Sequence, residues 1–230
     1  ADKNGSFYLE ADGGSDYIFL LIPFSGQTEQ GYQLHGHMPY ITYLSNASGE
    51  MNRDAALSPC HDYIFEGYTP DGELLLEDDY LGTRFAVDSA DNATDEPFLG
   101  TDKGDGTPSV LSACVALNQP RRFFVTWTVP GFAHNIMLEM DNGGIGYTAE
   151  AVGGTVLNVN YEIARAQAAR LAANLDAYRS ADYSIPVSVI DDLAKVDALL
   201  EQAETKSGAV QASVSDEAAG LALWALETLE

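Results

Sequence analysis

The sequence predicts a mainly β protein: an antiparallel β-sandwich or jelly roll over residues 1–160, followed by a helical segment of two to three helices over residues 161–230. Two observations lead to this prediction. Nineteen of the 21 glycines, and most of the aromatic residues, precede Tyr161. From Tyr161 to Ile185 the chain contains neither glycine nor proline and is rich in alanine and leucine, which is typical of helices. The two regions are therefore predicted to be separate domains.

Short alternating runs of apolar and polar residues, bounded by Asp, Asn, Gly and Pro, indicate strands throughout the first region. The runs with this character are residues 7–11, 17–24, 32–44, 61–68, 73–77, 83–87, 109–117, 121–129, 133–141 and 146–159. Strands that follow one another without intervening helices argue against a βαβ arrangement. The pattern therefore favours antiparallel pairing.

The run 121–129 alternates most regularly. Phe123, Val125 and Trp127 share one face of the predicted strand, whereas Arg122 and Phe124 lie on the other. A Pro-Gly turn leads from this run into the next one. We therefore expect a hairpin whose Trp127 face belongs to the core and whose Phe124 face is directed outward.

Three helices are predicted in the second region. Asn158 or Asn160 is a suitable N-cap for the first helix, and apolar residues then recur at helical spacing. The second helix is predicted to begin near Ser188, and a Lys-Ser-Gly triplet ends it. The third is predicted to begin at Ser213 or Ser215, with acidic residues in its first turn.

The formal net charge of −24 restricts the classes of partner. Thirty-five acidic residues face 11 basic ones, so the chain repels nucleic acid and anionic membranes, both of which are bound through Lys and Arg. No run of residues approaches the roughly 20 apolar residues of a membrane helix. Neutral ligands, cations and basic proteins remain as partners.

An extracellular location is predicted from the tyrosine-rich, lysine-poor and loop-rich first region. The chain has two cysteines, Cys60 and Cys114, which either form one bridge or are two buried free thiols. A bridge across so long a loop would stabilise the fold by about 4 kcal/mol.

No decisive catalytic signature is present in the sequence. A Gly-x-Ser-x-Gly nucleophile motif is absent. Cys60, His61 and Asp62 are adjacent, so in an extended run the thiol and the imidazole point to opposite faces. His35 and His37 share a face, as two metal ligands must, but no third and fourth zinc ligand accompanies them.

Acidic loops between the strands are candidates for structural calcium. The candidate ligands are Asp88, Asp91, Asp95, Asp102 and Asp105. Ca²⁺ takes six to eight oxygen ligands in flexible geometry, and loops of this kind can supply them. The alternative is that these residues form solvated turns, in which Asp is favoured for its hydrogen bonds to the backbone.

Aromatic and polar residues together suggest a surface for a neutral sugar. A sugar ring stacks on an aromatic face while neighbouring polar groups bind its hydroxyls. The predicted carbohydrate-binding residues are Tyr32, Gln33, His35, His37, Tyr40, Arg122 and Phe124.

The chain resembles the non-catalytic N-terminal modules of secreted polysaccharide-degrading enzymes, including some xylanases. The residues behind this resemblance are the run 123–127 (Phe-Phe-Val-Thr-Trp) and the hairpin 141–147 (Asp-Asn-Gly-Gly-Ile-Gly-Tyr). The resemblance implies a module that binds a neutral polysaccharide without covalent chemistry. It also implies a downstream catalytic domain, and the last predicted helix accordingly runs to Glu230 without a stop signal.

Two other classes of function remain open. One is a jelly-roll glycosidase or lyase that uses paired carboxylates, for which Glu66, Glu73 and Glu139 are conceivable acids. The other is a cell-surface assembly module whose acidic face and helices contact other subunits. A deep cleft holding two carboxylates would favour the first, and self-association would favour the second.

Overall fold

The computed structural model describes residues 15–47, 57–80 and 84–229 of the chain. Within these ranges it is rich in sheet, with four sheets followed by three helices. The strands are Ser15–Leu21 (β1), Gly26–Gln27 (β2), Gln33–Leu34 (β3), Tyr40–Ala47 (β4), Cys60–Glu66 (β5), Phe85–Val87 (β6), Ala93–Thr94 (β7), Phe98–Thr101 (β8), Val110–Ala116 (β9), Arg122–Val129 (β10), Ala133–Met140 (β11) and Gly153–Asn158 (β12). The helices are Val159–Ser180 (α1), Val187–Glu204 (α2) and Gly208–Leu229 (α3).

Two four-stranded sheets form the centre of the molecule. The first sheet has the strand order β12-β5-β9-β8, and the second has the order β11-β10-β6-β7. β12 runs parallel to β5, whereas the other pairings in the two sheets are antiparallel. The prediction of a purely antiparallel fold is therefore wrong at β12. The long connection after β5 lets the chain return in the same direction.

The inner faces of the two sheets share one hydrophobic core. Phe65 of the first sheet meets Phe123 of the second edge to face, with ring centroids 5.1 Å apart. Trp127 belongs to the same cluster, and along β10 buried and partly exposed side chains alternate. The sequence-based assignment of the Trp127 face to the core is thus confirmed.

The helices belong to this core as well. Ile163, Leu171 and Leu175 of α1 are fully buried in the cluster that contains Phe65 and Phe123. α1 packs against α3 and β11, and α3 contacts β10 and β12. The predicted division after residue 160 therefore runs through one continuous hydrophobic cluster.

The start of the helical region agrees with the sequence. The side chain of Asn158 accepts a hydrogen bond from the backbone N–H of Tyr161 at 3.2 Å, which makes Asn158 the N-cap of α1. α2 begins at Val187, next to the predicted Ser188. α3 begins at Gly208, earlier than predicted, and Asn158 Nδ2 donates to the Gly208 carbonyl at 3.1 Å. One asparagine therefore ties both helix starts together.

Four predicted strands differ from the structure or lie outside it. The predicted run 32–44 is divided between two strands, β3 and β4, which belong to different sheets. Residues 73–77 form no strand, because a single 3₁₀ turn at Glu77–Asp79 begins there and the Asp79 carboxylate accepts from the Leu76 N–H at 2.9 Å. The predicted run 146–159 forms a strand only from Gly153 onward. Residues 7–11 lie outside the described ranges.

Cys60 and Cys114 form a disulfide with a Cα–Cα distance of 5.6 Å. The bond connects β5 to its neighbour β9, and both cysteines are fully buried. Of the two alternatives left open by the sequence, the structure therefore has the bridge.

The outward face of the first sheet is covered by the chain around β2 and β3. Tyr32 and Leu34 form a small buried cluster with Ile64 and Val110 of the sheet. Thr101 Oγ1 donates to the backbone carbonyl of Gln33 at 2.6 Å. β1 and β4 form a separate two-stranded ribbon.

Candidate functional site

Tyr32 is buried, although it was predicted to be part of an exposed carbohydrate surface. Its exposed fraction is 2%, its hydroxyl donates to Glu66 Oε1 at 2.7 Å, and Lys103 Nζ lies 4.7 Å from the ring centroid. Burial, assisted by the Glu66 carboxylate, raises the pKa of the Tyr32 phenol. The ring is therefore unavailable for stacking on a sugar, contrary to the prediction.

His35 is also buried, with an exposed fraction of 1%. Its Nδ1 lies 2.7 Å from Asp62 Oδ1, and the backbone N–H of Gly36 donates to Asp62 Oδ2 at 3.0 Å. The imidazole thus lies inside the fold and does not face a ligand surface. This is contrary to the prediction of His35 as a carbohydrate-binding residue. Gln33, His37 and Tyr40 are partly exposed.

Asp62 lies beside the disulfide, and its carboxylate and the two cysteine sulfurs are within 4.8 Å of one another. These residue types are metal ligands when the sulfurs are thiolates. Here the sulfurs are bonded to each other, so they do not provide thiolates. Within the described ranges no other three His, Cys, Asp or Glu ligand atoms converge in this way.

Arg122 and Phe124 lie on the outward face of the second sheet, as the alternation predicted. Phe124 stacks on Phe85 of the neighbouring strand, with ring centroids 4.8 Å apart and an interplanar angle of 5°. Arg122 Nη1 donates to Glu139 Oε1 at 2.6 Å, and its Nη2 donates to Asp91. These two ion pairs hold the guanidinium in place beside the stacked rings.

The two halves of the predicted carbohydrate surface therefore do not meet. The segment from Tyr32 to Tyr40 begins on the outward side of the first sheet, whereas Arg122 and Phe124 lie on the outward side of the second. The shared core lies between the two sheets. A single ligand surface can include Arg122 and Phe124 but not the Tyr32 segment.

A polar cleft of about 350 Å³ opens next to Arg122. Its lining residues are Asp88, Ser89, Asp91, Pro120, Arg122, Asp141, Gly144, Ile145 and Gly146. Asp141 Oδ1 is buried without a hydrogen-bond partner in the described part of the chain. Hydrogen bonds from the backbone and side chain of Asn92 and from the Ala90 N–H lower the pKa of Asp88, which is therefore ionised at neutral pH.

Several residues of this site were not predicted from the sequence, Asp141 and Phe85 among them. Asp141 opens the glycine-rich hairpin that was noted only as part of a resemblance, and Phe85 lay in a predicted strand without a known neighbour. The register that sets Phe85 against Phe124 connects distant parts of the chain. No local pattern could have shown it.

The five predicted calcium ligands are dispersed. Asp88 and Asp91 line the cleft, whereas Asp95, Asp102 and Asp105 do not. Asp102 and Asp105 each accept a hydrogen bond from a backbone N–H two residues further along the chain. Such bonds are the turn chemistry that the sequence offered as the alternative. Structural calcium stays a prediction.

The acids considered for an enzyme have different surroundings. Glu66 accepts hydrogen bonds from the hydroxyls of Tyr32 and Tyr68, and Glu139 binds two arginines. Glu73 is exposed on a turn. Burial together with the Glu66 carboxylate raises the pKa of Tyr68 to about 12, so Tyr68 remains a donor at neutral pH.

A second cleft of about 320 Å³ lies where the start of α3 meets two loops. It is lined by Pro70, Pro130, Ser213, Asp216 and Glu217. Asn160 Nδ2 donates to Asp216 Oδ1 at 2.9 Å. Burial raises the pKa of Asp216 to about 6, although the hydrogen bond from Asn160 opposes the rise.

No protein family, curated protein or solved structure matches the chain. In the described part of the chain, no helix combines the length and the hydropathy needed to cross a membrane. The fold and site define a sheet-rich protein with a polar, aromatic-edged surface on its second sheet.

Proposed function

We propose that the chain is a non-catalytic carbohydrate-binding module of an extracellular polysaccharide-degrading enzyme, and that it binds a neutral polysaccharide on the outward face of the second sheet. One observation carries the proposal. The stacked rings of Phe85 and Phe124 lie on the same sheet face as Arg122, whose guanidinium lines a polar cleft of about 350 Å³. Clefts of this size are large enough for a small ligand.

The groups around this cleft suit a polar, uncharged ligand. The exposed part of Phe124 offers an apolar contact for the C–H face of a sugar ring. Arg122 uses Nη1 and Nη2 in its two ion pairs, which leaves other N–H groups for ligand hydroxyls. The Asp141 oxygen that has no partner among the described residues can accept a hydroxyl hydrogen.

Binding without catalysis is the interpretation that these charges favour. A glycosidase needs one carboxyl group that stays protonated to donate to the leaving group. The pKa of Asp88 in the cleft is lowered, and Glu139 beside it is held by Arg122 and Arg170. These carboxylates are suited to accept hydrogen bonds and to position Arg122.

The proposal also includes the scaffold and the location. The two facing four-stranded sheets serve as the sandwich that presents the site, and calcium bound by the acidic loops would add to its stability. The buried disulfide supports an extracellular location, because such bonds persist in oxidising compartments. The catalytic domain is expected elsewhere in the full-length enzyme.

Affinity electrophoresis in gels that contain neutral polysaccharides tests this proposal. We expect the wild-type chain to be retarded by at least one plant or microbial polysaccharide, with little dependence on salt. Phe124→Thr should weaken the retardation about tenfold or more, because it removes the stacking surface from a strand that tolerates threonine.

Tyr183→Thr provides the matched control. Tyr183 is 66% exposed and contacts another aromatic ring, that of Tyr178, but it lies between α1 and α2. This variant should be retarded like the wild type. Absence of retardation by every polysaccharide of a broad panel, or equal retardation of Phe124→Thr and wild type, would contradict the proposal.

A further inference from the structure

One face of the β1–β4 ribbon is apolar and exposed. Ile18 is paired with Tyr43 across the two strands, and Leu20 with Ile41, so these four side chains lie on one face. Their exposed fractions are 77% for Ile18, 60% for Tyr43, 49% for Leu20 and 67% for Ile41. We call this set the ribbon face.

The ribbon face lies in two stretches of the chain that carry little charge. Residues 17–28 and 38–49 contain no Asp, Glu, Lys or Arg, although the whole chain has a net charge of −24. Asp16 is the one charged residue in the sequences of β1 and β4. A basic protein would find a single carboxylate to pair with in the ribbon, so charge complementarity argues against such a partner at this place. It favours a partner that is itself apolar and free of charge at the contact.

We propose that a second copy of this chain binds the ribbon face, with the two ribbons stacked face to face. The partner that this shortage of charge favours is an apolar surface, and the ribbon face itself is one. Two identical faces related by a two-fold axis form a self-complementary interface. Such stacking would also remove four large apolar side chains from water, which favours association.

The size of the ribbon face predicts a weak dimer. Its four side chains expose roughly 400–500 Å² of surface, which is at the upper range of apolar patches on monomers. Two copies would bury roughly 1,000 Å² in total, near the lower limit of specific interfaces. We therefore expect association that depends on protein concentration rather than a permanent dimer.

Salt should strengthen this association. Two copies with a net charge of −24 repel each other, and salt screens the repulsion while the apolar contact is unaffected or strengthened. Binding of a basic partner would show the opposite dependence. The sign of the salt effect thus distinguishes the two kinds of contact.

Sedimentation velocity over a range of protein concentrations tests the proposal, with the wild type compared with Ile18→Glu and Val187→Glu. We expect the wild type to shift from monomer toward dimer as concentration rises, and to do so at lower concentration in high salt. Ile18→Glu should raise the dissociation constant about a hundredfold, because it places two carboxylates in an apolar contact.

Val187→Glu is the matched control, because Val187 is also β-branched and is 71% exposed but lies at the start of α2. It should dimerise like the wild type. Circular dichroism of both variants checks that they are folded. Ile18→Thr, which keeps a strand-forming residue, should weaken dimerisation less than Ile18→Glu does.

Three outcomes would overturn the proposal. The first is a wild type that stays monomeric at every concentration and salt level, and the second is an Ile18→Glu variant that dimerises like the wild type. The third is a monomeric wild type that co-sediments with phosphatidylcholine vesicles, because the ribbon face would then bind lipid. None of these outcomes bears on the retardation by polysaccharides, so the two proposals fail separately.

Discussion

Asp216 is a buried carboxyl group at the junction of α3 with the start of α1. Burial raises its pKa to about 6, compared with 3.8 for an unperturbed aspartate. The folded chain therefore binds this proton more tightly than the unfolded chain does. The resulting contribution to stability is fully present below about pH 4 and is lost as the pH rises through about 6.

Replacing Asp216 by asparagine tests this linkage. At about pH 7.5, Asp216→Asn should raise the free energy of unfolding by about 2 kcal/mol, because it removes a buried charge. At about pH 4 the gain should shrink to less than about 1 kcal/mol. Urea unfolding at both pH values gives the measurement.

Glu217→Gln is the control for this experiment, since Glu217 is adjacent to Asp216 but exposed. It removes the same charge from the same helix and should leave the pH dependence of the wild type unchanged. If Asp216→Asn shows the same pH dependence as the wild type, Asp216 does not titrate as the structure indicates.

At the level of residues, alternation predicted which side chains of β10 are buried, but it could not predict which outward faces are covered. Trp127 and Phe124 lie on the expected faces. Tyr32 and His35 were expected at the surface, yet the chain around β2 and β3 folds over the first sheet and buries them. Covering of one segment by a distant one leaves no trace in local periodicity.

The disulfide between β5 and β9 joins two neighbouring strands and closes a long loop, with a sequence separation of 54 residues. In the chain-entropy picture, a loop of this length restricts the unfolded chain by about 4 kcal/mol. Both cysteines are fully buried, so a reductant reaches the bond only when the strands separate.

The double variant Cys60→Ala/Cys114→Ala should lower the free energy of unfolding by about 2–4 kcal/mol. Urea unfolding with and without a thiol reductant measures this change. The reductant should lower the free energy of unfolding of the wild type, because it releases the constraint on the unfolded chain, and should have no effect on the double variant. A double variant as stable as the oxidised wild type would contradict the stabilising role of the bond.

Elements with a local chemical signal were predicted correctly. Asn158 caps α1 through its own side chain, and that signal is contained in a few residues. The strand predicted at 73–77 failed, because the Asp79 carboxylate binds the backbone of Leu76 and favours a turn. The parallel pairing of β12 with β5 depends on where the chain returns after almost 90 residues, so its direction could not be predicted from local sequence.

At the scale of the whole molecule, sheets and helices share one core. Leu171 of α1 is fully buried in the cluster that contains Trp127 of β10. We therefore expect the chain to unfold in a single cooperative transition. Unfolding of the helices alone would expose the inner residues of the sheets.

The two tryptophans allow a test, because Trp127 lies in the second sheet and Trp224 in α3. In a Trp224→Phe background, Trp127 fluorescence reports on the sheet alone. Leu171→Ala should then lower the free energy of unfolding by about 2–4 kcal/mol. The unfolding midpoint measured by Trp127 fluorescence should fall together with the midpoint measured by helical circular dichroism. A sheet signal that is insensitive to Leu171→Ala would instead support two independent domains divided after residue 160.

The candidate site shows the limit of sequence at this scale. Arg122 and Phe124 were predicted to share a face, but their partners Glu139, Asp91 and Phe85 come from three other parts of the chain. Those contacts follow from sheet order and register. Neither can be derived from one sequence without knowing which strands are neighbours.

The parallel pairing of β5 with β12 determines how the molecule responds to pulling. A tension applied through the chain before Cys60 and after Asn158 enters the two strands at opposite ends of their shared ladder, from His61 opposite Gly153 to Glu66 opposite Asn158. The strands must then slide past each other, and the hydrogen bonds between them resist together rather than one after another. This geometry gives the chain mechanical resistance along that axis.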